Sequence, residues 1–309
     1  MGRNSYEDEY IRRLEKVQDY IEEHIGESFQ IEKLADEAGF SKYHFSRIFQ
    51  SIMHEPLAHY VNRIRMERAK FFLAHRWDMN MTDICFTLGY TDSSVFSRAF
   101  KNNYNMSPAT YRKEYSKNCQ DSIYLSDYNK DIDKKERINR GYPVAGTISI
   151  EEIEKQQIAY VRHTGTYENL AKEYGRLINV LFARAGKQNL IREGKNRVLA
   201  IYHDNPEFTD AVKFRTSLCL TLPEGVCGHE DEMMGISVIE GGKYAVGHFM
   251  VTAEEFPYAW NYMYREWLTC SGYVPRNSSP FEVYLNNPSE DEERCMKVDL
   301  YLPIEPFLL

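Results

Sequence analysis

The first third of this chain contains one pattern twice. Residues 34–60 read LADEAGFSKYHFSRIFQSIMHEPLAHY and residues 84–111 read ICFTLGYTDSSVFSRAFKNNYNMSPATY. Gly39-Phe40 returns as Gly89-Tyr90, Phe45-Ser46-Arg47-Ile48-Phe49 as Phe96-Ser97-Arg98-Ala99-Phe100, and Tyr60 as Tyr111. The offset moves from 50 to 51 because the second copy has one extra residue in its turn. A repeat this short is one supersecondary unit used twice.

Each copy reads as a short apolar helix, a glycine and a second helix. Ile31, Leu34, Ala35 and Ala38 form one buried stripe, and Ile84, Cys85 and Leu88 its counterpart. Gly39 and Gly89 fall where a left-handed residue ends a helix, and Ser41 and Thr91 can start the next one. Two helices joined by a tight glycine turn make a helix-turn-helix. In the second helix Phe45, Ile48 and Phe49 point inward, leaving Tyr43, Ser46 and Arg47 together outside. In the second copy Phe96, Ala99 and Phe100 point inward; Ser94, Ser97 and Arg98 share the outer face, with Ser93 one turn before Ser97. Small hydroxyls beside an arginine let a backbone approach a DNA groove while the guanidinium reaches base edges or phosphate. Exposed arginines on helices are ordinary, but recurrence at one repeat position is not.

Between the copies, LAHYVNRIRMERAKFFL (57–73) reads as one helix with Tyr60, Ile64, Ala69 and Phe71 near one side. Some 15 helical residues span roughly 22 Å, a rigid spacer that can set two reading helices about one DNA turn apart. Its arginines, Arg63, Arg65 and Arg68, fit equally a solvated face with internal pairs such as to Glu67.

Charge supports this division. The chain carries a net −8, yet residues 41–120 carry about +6, against about −6 before them and about −8 after them. No apolar run is long enough for a transmembrane helix, and the charged N-terminus MGRNSYEDEYIRRLEK lacks a signal core, so a cytoplasmic, membrane-free protein is expected. Six cysteines without CxxC spacing suggest free thiols, and neither a metal nor a cofactor is expected.

The segments LADEAGFSKYHFSRIFQ, RIRMERA and LGYTDSSVFSRAFKNNYNMSPATYR resemble the DNA-binding domain of the AraC/XylS transcription regulators. The resemblance implies an all-α domain of seven helices over residues 7–115, with helix-turn-helix units at about 31–50 and 82–103 reading successive major-groove segments. It places base contacts on Tyr43, Ser46 and Arg47, and on Ser93, Ser94, Ser97 and Arg98. Promoter DNA is the implied partner, with RNA polymerase as the machine such a regulator acts upon. His54 departs from the family, where a glycine is usual.

Residues 116–142 are polar and aperiodic and read as a linker. Beyond it a second repeat appears over 143–309. Ile158-Ala159-Tyr160-Val161 and Tyr244-Ala245-Val246-Gly247 each precede a helix, one with Leu170, Tyr174, Leu177, Ile178 and Leu181 inward, the other with Phe256, Trp260, Met263, Tyr264 and Trp267. LAIYHDNP (199–206) then matches FEVYLNNP (281–288), and SLCLTLP (217–223) matches KVDLYLP (297–303). The unit is strand-helix-strand-strand, and two of them edge to edge give an α+β domain with a pseudo-two-fold sheet and a central groove.

Alternation puts Glu282 and Tyr284 on one face of their strand, and Ala200 stands in the first unit where Glu282 stands in the second. A carboxylate walled by aromatics suits a hydrophobic cation. Pattern alone also fits a solvent-facing Glu282 and a plain core stripe for Trp260 and Trp267. Residues 143–307, through VRHTGTY, YREWL, PFEVYLNNP and VDLYLP, resemble the gyrase-inhibitor-like effector-binding domain, and the arrangement of both domains resembles the Rob subgroup. That resemblance places Glu282 in the ligand pocket, with Tyr284, Trp267, Tyr167 and Trp260 at its aromatic positions. Two other readings stand beside an effector site: a hydrolase with Glu282 as general base, Tyr284 beside it and His163 as nearest partner, or a ligand-free interaction module in which acidic stretches such as EDEER (290–294) meet a basic partner.

Overall fold

The computed structural model describes residues 5–116, 146–206, 208–252, 255–286 and 295–307, without the side chains of residues 5–7. The linker segment from 117 onward and the EDEER stretch lie outside the described residues. The chain divides into two units, Met1–Lys117 and Asn118–Leu309.

The first unit is helical: α1 (Ser5–Glu23), α2 (Ile31–Glu37), α3 (Lys42–Met53), α4 (Leu57–His75), α5 (Met81–Thr87), α6 (Ser93–Tyr104) and α7 (108–116). Its two helix-turn-helix pairs, α2–α3 and α5–α6, end their first helices alike. Gly39 (φ 62°) and Gly89 (φ 78°) are left-handed, their amides and those of Phe40 and Tyr90 returning to carbonyls of the preceding turn. Phe49 and Phe100 each meet a tyrosine ring edge-on, Tyr60 at 5.5 Å and Tyr111 at 5.7 Å, so the repeat pairing of those tyrosines is a packing equivalence.

Helix α4 belongs to both cores. Tyr60 and Ile64 pack with Leu14, Val17, Ile21, Leu34, Phe45 and Phe49; Met66, Ala69, Phe72 and Leu73 pack with Ile84, Cys85, Leu88, Phe96 and Phe100. A spacer buried at both ends transmits the position of one pair to the other. Its 19 residues make it about 28 Å long, longer than the pattern predicts. The fully buried aromatic in its second half is Phe72, not Phe71, which is only partly covered. The start of α6 also differs from expectation. Asp92, not Thr91, is the N-cap, because the extra turn residue lets its carboxylate accept from two amides where a threonine hydroxyl would reach one.

The second unit is one antiparallel sheet with helices. Its strands are β1 (Thr147–Ile153), β2 (Gln156–Thr164), β3 (Val198–Tyr202), β4 (Arg215–Thr221), β5 (Gly235–Ile239), β6 (Gly242–Val251), β7 (Tyr273–Pro275), β8 (Phe281–Tyr284) and β9 (Met296–Pro306). Helix α8 (Tyr167–Lys187) follows β2; after β6 comes α9 (Phe256–Asn261), which runs on through a π-helical turn (Tyr262–Trp267) into Leu268–Cys270. The strand order is β1-β6-β9-β8-β3-β4-β2-β5, with β7 on β9.

That order is a pseudo-two-fold: β3 pairs with β8 at the centre, β4 matches β9, and β2 matches β6. The outermost strands are exchanged. β1 leads the first repeat but pairs with β6 of the second, and β5 leads the second but pairs with β2 of the first. The repeat is therefore strand-strand-helix-strand-strand, one strand longer than expected. The signal for the extra strand is present: Ile148-Ser149-Ile150 echoes Ile236-Ser237-Val238. Helix α8 covers Ala159, Val161, Ala200, Leu218 and Leu220, and the α9 segment covers Ala245, Phe249, Leu300 and Leu302. Tyr284 packs against both clusters, so it stands where they meet.

Candidate nucleic-acid interface and ligand site

On α3 the amphipathic pattern holds: Phe45 and Phe49 are buried, and Tyr43, Ser46 and Arg47 are exposed, Tyr43 to 78%. On α6 Phe96 and Phe100 are buried, Ser93, Ser94 and Arg98 are exposed, and Ser97 is half-buried. The structure thus brings the expected residues together as two short polar faces, one per helix.

The arginines divide by use. Arg63 pairs with Glu55 at 2.6 Å and with Glu67 at 3.2 Å. Arg65 donates to the carbonyls of Ile25 (3.0 Å) and Glu27 (2.6 Å), holding the α1–α2 loop. Arg68 lies 3.9 Å from Glu22. These three are spent on the fold, as the internal-pair reading of α4 expects. Arg47 and Arg98 have no hydrogen bond or ion pair with any described residue, although the charge of Arg98 helps to lower the nearby Asp92 carboxyl. An unspent guanidinium at the same point of each repeat is available to a phosphate or a guanine edge.

Helices α3 and α6 begin differently. Ser41 starts α3 without a side-chain cap. At α6, Asp92 Oδ1 accepts from the amides of Ser94 (2.6 Å) and Val95 (3.2 Å), and α5 opens on an Asn80–Asp83 capping box. These bonds and the Ser94 hydroxyl hold the Asp92 carboxyl below its ordinary value.

The candidate ligand site centres on Glu282. Far from facing solvent, it is 1% exposed, because β8 is central in the sheet and its Glu282 face lies beneath the helices. Its Oε2 accepts from the Tyr202 hydroxyl at 2.8 Å and the Tyr284 hydroxyl at 2.9 Å; its Oε1 accepts from Trp260 Nε1 at 2.7 Å. All three donors are neutral. Burial pushes the Glu282 carboxyl up to about 7, the three hydrogen bonds opposing that rise. Burial also carries the Tyr202 and Tyr284 phenols well above their ordinary range, so both stay protonated donors.

Aromatic rings continue outward. Trp260 meets Tyr202 edge-on at 6.5 Å and Tyr264 at 6.0 Å; Tyr167, 40% exposed, lies 5.9 Å from Tyr202 and 5.1 Å from Phe214. Of the residues expected here, Glu282, Tyr284 and Trp260 are in direct contact, and Tyr167 joins through Tyr202. Trp267 instead stacks on Tyr273 at 6.4 Å; after the π-helical turn that ends on it, Leu268 is the buried residue of the helix. His163 is not among the groups on Glu282. Tyr202 is not among the residues expected at the site, although LAIYHDNP places it opposite Tyr284 in the repeat; Tyr174 is the counterpart of Trp260 in the first unit.

Among the described residues no group of histidine, cysteine and carboxylate side chains is arranged to hold a metal ion, and no helix is long and apolar enough to cross a membrane. Residues 146–305 match the GyrI-like small molecule binding domain, and residues 34–114 match a helix-turn-helix domain of the AraC type. The chain is 30% identical over 163 residues to the DNA gyrase inhibitor of Yersinia enterocolitica, covering 50% of this chain and 94% of that protein. It is 29% identical over 99 residues to the regulatory protein SoxS of Salmonella typhimurium, covering 32% of this chain and 92% of that one. Among solved structures, the EcmrR–DNA complex in EcmrR-RPo aligns with 90% of this chain and 100% of that one, at 13% identity and a TM-score of 0.46.

Proposed function

This chain belongs to the GyrI-like small molecule binding domain family and carries an AraC-type helix-turn-helix domain ahead of that domain; on that premise we propose how the two units work. The chain is a DNA-binding transcription regulator with a small-molecule-binding domain. We assign Tyr43, Ser46 and Arg47 of α3, and Ser93, Ser94, Ser97 and Arg98 of α6, to the DNA. The observation that carries this assignment is the pair of unspent arginines, Arg47 and Arg98, at matched positions beside hydroxyls, on helices joined by a spacer anchored in both cores. Such helices enter successive major-groove segments of one site, with affinity drawn largely from phosphates and falling as salt rises. RNA polymerase at the bound promoter is the partner this reading implies, and the cytoplasm is the compartment.

Glu282 is assigned as counter-ion to a lipophilic cation, with Trp260, Tyr284 and Tyr202 as its walls and Tyr167 as the outermost ring. A carboxylate buried among neutral donors has no charge partner of its own, and ring faces attract positive charge. The site is closed over Glu282, so a ligand enters by parting rings, Tyr167 first, and it biases the protein only through different affinity for closed and open arrangements. A hydrolytic role finds no second acid or base on Glu282, whose partners are two phenols and an indole.

The test is double. Arg47→Ala and Arg98→Ala should each weaken operator binding, with about 1–3 kcal/mol of base discrimination lost and folding retained; unchanged discrimination removes both from the interface. Calorimetric titration with tetraphenylphosphonium should show binding that Glu282→Gln weakens at least ten-fold; equal affinities in the two proteins remove Glu282 from the site.

A further inference from the structure

The two helix-turn-helix pairs are joined by α4, and a second tie runs beside it. Arg65, half-buried on α4, donates from Nε to the Ile25 carbonyl at 3.0 Å and from Nη2 to the Glu27 carbonyl at 2.6 Å. Those carbonyls belong to the α1–α2 loop, which leads into the first pair. The same guanidinium lies over the Phe29 ring at 5.8 Å and over the Tyr90 ring at 5.7 Å. Phe29 is in that loop; Tyr90 closes the turn of the second pair, and its hydroxyl donates to Asn62 Oδ1 of α4 at 3.2 Å. One side chain thus grips both pairs.

Backbones meet at the same place. A Cβ on Gly26 would lie 2.7 Å from the Thr87 carbonyl oxygen at the end of α5, and one on Gly89 would lie 2.6 Å from the Gly26 carbonyl oxygen. The turn of the first pair has a clasp of its own: Arg13 of α1 donates to the Gly39 carbonyl at 3.3 Å and lies over the Phe40 ring at 5.5 Å. Both ends of that clasp lie with the first pair, so it ties nothing across. Two bodies joined by one helix can still rock and twist about it, and a second tie off the helix axis removes that freedom. An arginine suits the task because its planar fork holds two carbonyls while its face stacks on rings.

We propose that Arg65 is a positioning residue that fixes the separation and rotation between α3 and α6, so that the protein accepts one spacing of its two groove segments and rejects neighbouring ones. Each base pair added between the segments moves the second by about 3.4 Å and turns it by about 34°. A rigid pair of helices then engages one segment at a time and forfeits the gain of simultaneous binding, whereas a hinged pair follows the displaced segment. In this role Arg65 touches no base; it acts through the α1–α2 loop and the turn before α6.

The inference rests on the reading of α3 and α6 as groove-entering helices, and the experiment separates the two. A site selected from randomised duplexes with the full chain is compared with versions in which one base pair is inserted or deleted between its halves, and with versions in which one half is scrambled. The wild type should lose about ten-fold or more in affinity on either change of spacing. Arg65→Ala should lose less than about three-fold on the same changes, with its affinity for single-half sites within about two-fold of the wild type's. Its salt dependence should keep the wild-type slope, whereas loss of a phosphate contact would flatten that slope by about one. Arg65→Lys keeps the charge but not the fork; it should relax the spacing in the same way, and it decides the matter should Arg65→Ala melt early. A spacing penalty unchanged in both variants, equal affinity of the wild type for every spacing, a matching loss on single-half sites or a flattened salt slope overturns the positioning role. A selected site with only one informative half overturns the groove-entering reading of the other helix, and the spacing role falls with it.

Discussion

Ala200 and Glu282 face each other as Cα partners across the β3–β8 pair, at equivalent positions of the two repeats. The pseudo-two-fold therefore passes between them, and it is broken there by a carboxylate. The tyrosines two residues further along each strand, Tyr202 and Tyr284, keep the symmetry and converge on the same Oε2. Removing the carboxylate leaves three buried donors without an acceptor. Glu282→Ala should cost roughly 3 kcal/mol or more, since each orphaned buried group costs about 1–3. Glu282→Gln keeps one acceptor oxygen but turns an amide NH2 toward the donors on the other side, so it should cost about 1–2 kcal/mol, less than Glu282→Ala. Urea unfolding of the two variants measures this, and a Glu282→Ala protein as stable as Glu282→Gln would show that those donors find other acceptors.

The same carboxyl predicts a pH dependence with a definite sign. Its value in the fold is about 7 against an ordinary 4.5, so the folded state holds the proton more tightly than the unfolded chain. The corresponding stability is complete below about 4.5 and is lost as pH rises through about 7, roughly 3 kcal/mol over that window. Subtracting the Glu282→Gln melting curve from the wild-type one at each pH isolates it, and the difference should fall from pH 4.5 to 8. A bound lipophilic cation favours the ionised form, so its stabilising effect should grow over the same range. A flat difference curve would mean that the carboxyl titrates as it does in water.

Gly39 and Gly89 hold the same left-handed turn but stand in different surroundings. A Cβ on Gly39 would meet only the end of the Arg13 side chain, at 3.4 Å. On Gly89 it would sit 2.6 Å from the Gly26 carbonyl oxygen and 2.9 Å from Arg65 Nη2, against the loop that Arg65 holds. Both alanine variants pay the left-handed cost of about 1 kcal/mol. Gly89→Ala must also displace backbone, and should lose about 3 kcal/mol or more in total. Equal melting temperatures for the two would place the α1–α2 loop further from this turn.

Much of this was legible because duplication leaves a record in sequence. Paired phenylalanines and arginines at a fixed offset identify the helical units and their outward faces, since packing restricts what a buried position accepts. The asymmetry at Glu282 is legible for the same reason. Its burial is not: alternation assigns a face, but only strand order says which face is covered, and pairing partners distant in sequence leave no local trace. The exchange of β1 and β5 is hidden likewise, because a strand paired with its own unit and one paired with the other have the same periodicity. Trp260 and Trp267 lie on one helical stripe, and only the sheet beneath separates the residue that donates to Glu282 from the one that stacks on Tyr273.

His54 occupies a left-handed backbone position (φ 55°) at the end of α3, where a glycine is usual, and Asn105 (φ 57°) stands at its repeat equivalent after α6. The turn geometry is thus kept without the residue that adopts it most easily. Asparagine tolerates this conformation, but an imidazole pays a steric cost of about 1–2 kcal/mol, and the His54 side chain has no hydrogen bond, ion pair or ring contact to offset it. His54→Gly should therefore raise stability by about 1 kcal/mol, the relief exceeding the extra chain entropy glycine brings to the unfolded state. Asn105→Gly should gain less. The comparison is a pair of denaturation curves. A His54→Gly protein less stable than its parent would show that the imidazole contributes contacts that outweigh its strained backbone, and the two helix-turn-helix units would then end their reading helices by different physical means.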